Sequence, residues 1–168
     1  MARLKITLWC VLLACMYGIV HDQITARVCL SYFTEFHPPI GVGDDPTIIA
    51  LCWGVLATWW VGAILGYSLA LACTLGNRPR LTIREVRKPL AFLFAAMAVG
   101  AIMSGLIGYR DGAAIAKFMY PPVANLPPNL QAGFAADLFA HNVSYAVGFF
   151  GAIVVVGWAW EKRKSLPA

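Results

Sequence analysis

The chain has 168 residues, 60% of them hydrophobic and 12% charged, with a net charge of +5 and a mean hydropathy of +0.71. Soluble domains run nearer about 45–50% apolar and about 25% charged, so a disordered chain, a nucleic-acid tail and a small disulfide-stapled secreted domain are excluded. At about 20 residues per span plus loops, the length accommodates one integral membrane domain (residues 1–168) with about three to five membrane helices.

The positive charge is placed rather than spread. Ten of the 13 Lys and Arg residues fall in three clusters beside apolar runs: Arg3 and Lys5, residues 78–88, and residues 162–164. That is the pattern of cytoplasmic loops, not of a nucleic-acid footprint.

The first apolar run, residues 6–20, is short and needs flanking residues to cross, giving a helix over about 4–23. It has a rival reading. Met1 to Lys5 forms a basic n-region, residues 6–13 an h-region, and Leu12-Leu13-Ala14-Cys15 resembles a lipoprotein cleavage box, which would leave three spans. The segment 21–46 then carries one base, Arg27, against four acids, Asp22, Glu35, Asp44 and Asp45.

A second helix is expected over 46–75. Asp45 caps it, Pro46 takes its first position, and Gly76-Asn77 with Pro79 closes it. Its charge-free run is about 43 Å long and must tilt or protrude. Segment 77–88 carries five bases, and Thr82 with Glu85 reads as a capping box opening a third helix over 83–109. Residues 110–137 carry two bases; a fourth helix over 134–160 follows, with three bases after it. The alternation gives an all-α membrane protein: a four-transmembrane-helix bundle with both termini cytoplasmic, in a bacterial inner membrane. Trp9, Trp158 and Trp160 fall at the inner interface. Pro-Pro pairs at 38–39, 121–122 and 127–128 suggest stiff, extended outer loops.

Small residues recur at every fourth position: Cys10, Ala14 and Gly18; Gly54 to Thr74; Ala96, Gly100, Ser104 and Gly108; Ser144, Gly148 and Ala152. Such stripes let helices approach closely in lipid, and could alternatively seat lipid tails or a quinone.

Ionisable groups beside membrane helices mark sites, and here they gather at the outer face. His21 and Asp22 end the first helix, His37 lies in the first outer loop, and Asp137 and His141 open the fourth helix one turn apart. Three imidazoles and two carboxylates suit a metal ion, with His21, His37, His141, Asp22 and Asp137 as candidate ligands or orienting groups. Haem on His21 and His141 is a less favoured variant, because both sit near helix ends. The plainer reading has these residues capping helices and pairing with Arg27 and Arg110. A carboxylate orienting an imidazole for acid–base catalysis is a further alternative, with no catalytic residue named. Four of the five cysteines fall within helices; Cys29, in a loop, could cross-link to a partner chain, and no Cys-x-x-Cys is present.

The run Tyr17 to Gln23, then Thr25 to Cys29, Tyr32-Phe33-Thr34 and His37-Pro38, with His141-Asn142-x-Ser144-Tyr145, resembles a family of small bacterial inner-membrane proteins. The resemblance implies a four-helix membrane protein and brings no activity, ligand or site. Three functions follow as expectations: an accessory or structural membrane protein with a membrane-protein partner or a second copy of itself, a metal-dependent or redox membrane protein, and a small transporter or channel subunit.

Overall fold

The computed structural model describes residues 1–167; every regular element among them is a helix, with no strand. The elements are α1 (Ala2–Val28), α2 (Leu30–Thr34), α3 (Pro46–Leu56), α4 (Trp59–Thr74), α5 (Ile83–Asp111), α6 (Ala113–Met119), a 3-10 turn at Pro121–Asn125, and α7 (Pro128–Lys164). Four segments are long and apolar enough to cross a membrane: α1, the α3–α4 pair, α5 and α7.

The expected caps are in place. Asp45 Oδ1 accepts from the amides of Thr47 and Ile48 at 2.9 and 3.0 Å. The Glu85 carboxylate accepts from the Thr82 amide at 2.7 Å, and the Thr82 hydroxyl accepts from the Arg84 amide. Gly76 adopts φ +75°, which ends α4 where a side chain would be strained.

Four boundaries differ from expectation. α1 continues past residue 23 to Val28, because its polar last turns are satisfied: the Thr25 hydroxyl donates to the His21 carbonyl, and Arg27 donates to Gln23 and Thr47. α7 starts at Pro128, six residues early, since proline suits a first helical position. The second helix is broken at Ala57–Thr58. There the Thr58 hydroxyl donates back to the Gly54 carbonyl, a bond that bends helices. Finally, Pro121-Pro122 opens a 3-10 turn rather than an extended loop.

Two antiparallel helix pairs make up the structure. In the first, α1 lies on α3 and α4, and the small-residue stripes mesh: Gly18 meets Gly54 and Thr58, Gly62 meets Cys10 and Ala14, Gly66 meets Thr7 and Cys10. In the second, α5 lies on α7, with Gly108 against Ala135 and the Ser104 hydroxyl donating to the Phe139 carbonyl at 3.1 Å. At the end that carries both termini the pairs join where α4 packs on α7 and Arg163 donates to the Ala72 carbonyl.

Two apolar clusters fill the interior. One, near the termini, joins Ile6, Cys10, Leu69, Cys73, Leu90 and Ala159. The other, at the opposite end, joins Ala26, Tyr32, Phe33, Ile49, Phe134 and Leu138. Large apolar side chains point outward instead: Leu8, Leu12, Met16 and Val20 on α1, Phe92, Ile102 and Leu106 on α5, Phe149, Phe150 and Val154 on α7. Small residues inside and large ones outside, on helices of this length, suggest insertion into a membrane.

Candidate metal centre

Between the two apolar clusters, α1 and α7 face each other through polar side chains. Asp22 and Thr25 of α1 and Asp137, His141 and Ser144 of α7 are all buried. A polar group removed from water needs a partner, and several find one. The Tyr17 and Ser144 hydroxyls are 2.7 Å apart, tying the first helix pair to the second.

His141 fixes the geometry. Its Nδ1 lies 2.7 Å from the Asp137 carbonyl oxygen. A carbonyl only accepts, so Nδ1 carries a proton and Nε2 is the ring atom left for another partner. That Nε2 lies 3.3 Å from Asp22 Oδ1. At this distance either a proton lies between the two atoms, as in a hydrogen bond or ion pair, or both face a cation. Two ligands on one tetrahedral ion, each bonded at about 2.0–2.1 Å, stand about 3.3–3.4 Å apart.

His21 supplies a third group. Its ring meets His141 edge to face at 4.5 Å between centroids, and its Nε2 is buried without a hydrogen-bond partner. One ligand atom from each of His21, Asp22 and His141 lies within 4.8 Å of the other two. The His141 N–H held by a main-chain carbonyl is the outer contact usual for a metal-bound imidazole. Three side chains can therefore hold an ion and leave a position open, as in sites that bind substrate.

Aromatic rings cover the layer. Tyr32 stacks on His141 at 4.8 Å, Phe33 meets the same ring edge-on, and Tyr17 stacks on His21 at 5.7 Å. The cover is tightly closed. Burial pushes the Cys29 thiol up to about 11 and raises the Tyr32 phenol above its ordinary range.

The expected ligands divide. His21, Asp22 and His141 converge. His37 stands outside the group: its Nδ1 is 2.7 Å from the Tyr32 carbonyl, and its ring meets Trp53 edge-on. Asp137 lies one turn before His141, 1% exposed, with neither carboxylate oxygen hydrogen-bonded. It is the main-chain carbonyl of Asp137, not its carboxylate, that orients His141.

Other expectations are corrected. The site is not at a helix end, because seven residues of α1 follow His21 and thirteen of α7 precede His141, about two and more than three turns. The objection to haem on that ground falls, yet the group does not fit, since the two rings touch with no gap for a macrocycle between them. Nor do the arginines pair with the layer, because Arg27 bonds Gln23 and Thr47 while Arg110 bonds Asp111 on the surface. Cys29 is buried, its thiol directed at the Leu130 carbonyl, and is closed to a partner chain.

Sequence reasoning missed the rings. Tyr17 stands one turn from His21, which spacing could have flagged; Tyr32 and Phe33 lay in a stretch read as loop. The chain matches no protein-family model, no curated protein and no solved structure.

Proposed function

We propose that the protein is a four-span bundle of a bacterial inner membrane, both termini cytoplasmic, that holds a transition-metal ion on His21, Asp22 and His141. One observation carries this reading: three potential ligand atoms lie within 4.8 Å of one another in a buried layer where His21 Nε2 has no other partner. Two imidazoles, one carboxylate and an open position are the donor set of non-haem iron and zinc sites. The basic clusters at the end that carries both termini support the orientation.

The test is elemental mass spectrometry on untagged protein purified from native membranes. About one iron, zinc or copper per chain is expected, lost in His21→Ala and His141→Ala and kept in His37→Ala. Wild-type protein free of metal, also after incubation with each ion, overturns the reading. Orientation is tested with periplasmic reporters, active when fused after Asp111 and inactive after Asn77.

A second reading has its own observation. The Tyr17–Ser144 and Asp22–His141 contacts are what join α1 to α7, so the layer would be a structural tie in an accessory protein. That reading expects the histidine variants to fail in folding rather than in metal content.

A further inference from the structure

We infer that Asp137 is the fourth protein ligand of this site, and that its carboxylate makes the layer selective for divalent cations. The inference rests on the metal reading above.

Asp137 is 1% exposed and both of its carboxylate oxygens lack a hydrogen-bond partner. Buried carboxylates normally gather N–H donors or a basic side chain. No described Lys or Arg offers one here. Arg163, the one buried Lys or Arg among the described residues, donates to three carbonyls at the far end of the structure. Arg27 and Arg110 are engaged by Gln23, Thr47 and Asp111. A carboxyl placed in this way is satisfied either by taking up a proton or by a bound cation, and the ligand set one turn away offers the second.

Position brings the carboxylate to the ion. Asp137 and His141 share a helix face one turn apart, and the Asp137 carbonyl already holds the His141 ring. Neither Asp137 oxygen lies within the three-residue group as it stands, so the ligation needs this one short side chain to rotate toward it. His37 is the rival fourth ligand, but its ring packs against Phe33 and Trp53 and it lies outside the three-residue group, in an outer segment rather than on the helix face that carries His141.

Charge then sets selectivity. A divalent ion on two neutral imidazoles and Asp22 alone leaves one positive charge in an apolar interior, which is strongly unfavourable. With Asp137 the loaded site is neutral. A monovalent ion in the same set leaves one negative charge, and a trivalent ion one positive. Two nitrogen and two oxygen donors also disfavour soft Cu(I) against Zn(II), Fe(II) or Co(II).

Cobalt tests this without any assay of activity, because four-coordinate Co(II) absorbs visible light far more strongly than five- or six-coordinate Co(II). The full chain in detergent is expected to bind one Co(II) with an intense four-coordinate spectrum. Asp137→Asn is expected to bind at least tenfold more weakly with the intensity lost, and Asp137→Glu to recover both. An unchanged affinity and spectrum in Asp137→Asn overturns the inference and leaves the three-ligand site standing; no Co(II) uptake by wild type overturns both. Should Asp137→Asn not fold, competition on the wild type decides. Zn(II) must displace Co(II) at stoichiometric levels while Cu(I) does not, and equal displacement by Cu(I) overturns the inference.

Discussion

Asp22 of α1 and His141 of α7 face each other across 3.3 Å, with 6% and 7% of their side chains exposed. The contact joins two helix pairs and holds two of the proposed ligands, and substitution separates these roles. In Asp22→Asn the amide can donate to His141 Nε2, so the tie survives while the charge is lost. In Asp22→Ala a buried ring nitrogen loses its partner, at a cost of about 1–3 kcal/mol. Thermal unfolding in detergent, with and without Zn(II), reads both. An ion at about 100 times its Kd stabilises wild type by about 2.7 kcal/mol. Asp22→Asn is expected to match metal-free wild type and gain little from Zn(II), and Asp22→Ala to melt lower without it. Equal gains in all three would sink the assignment of Asp22 as a ligand.

The α1–α3 crossing makes a sharper steric prediction. A methyl group at Gly54 would sit 2.5 Å from the Ile19 amide nitrogen and 2.6 Å from its Cα, main-chain atoms that cannot step aside. Gly54→Ala should therefore destabilise the fold by about 1–3 kcal/mol, as overpacking does. Gly157 is the control, because a methyl group there meets nothing within 4 Å. Gly157→Ala should hold or gain about 0.5–1 kcal/mol from helix propensity. The difference between the two, followed by thermal unfolding, isolates the crossing from the loss of a helical glycine.

These two sites show what the sequence could disclose. The stripe Gly54, Gly62 and Gly66 was legible because spacing of four defines a helix face, and close approach is what glycine offers in lipid. The convergence of His21, Asp22 and His141 was legible only as residue types at the same end of two helices. Its depth is not legible, because the end of an apolar run marks where lipid contact ends and not where the helix ends. α1 runs on to Val28 since its polar residues turn inward to partners on other helices, and no local signal reports that. Tyr32 and Phe33 lay beyond reach for a related reason: α2 is five residues long, and what places it is the packing of Phe134 and Ile49. Long-range contact, not propensity, built the cover.

That cover predicts a silent thiol. Cys29 is 1% exposed, and burial lifts it to about 11, well above the roughly 8.5 of a free cysteine. The thiolate is the reactive form, so a raised value lowers reactivity at every pH below it. Maleimide at pH 8 should leave the Cys29 peptide unlabelled in folded protein and label it fully after denaturation, as read by peptide mass mapping. Labelling of the folded protein at the rate of a free thiol would mean that α2 opens readily and the layer beneath is accessible.

At the other end, Arg163 closes the structure. Its Nε donates to the Pro79 carbonyl at 2.7 Å, Nη1 to Ala72 at 2.8 Å and Nη2 to Arg78 at 3.0 Å. The side chain is 1% exposed, yet it lies in a run of three bases that reads as a plain solvated tail. Its fork fits one carbonyl in the last turn of α4 and two of the α4–α5 connection, which ammonium geometry does not reproduce. Arg163→Met keeps the apolar stem and orphans those carbonyls, at about 1–3 kcal/mol. The connection should then open, and trypsin should cut after Arg80 several-fold faster than in wild type, with Arg163→Lys between the two. Cleavage at the wild-type rate in Arg163→Met would show that the connection is held by other contacts, chiefly Leu81, whose amide donates to the Cys73 carbonyl at 3.0 Å.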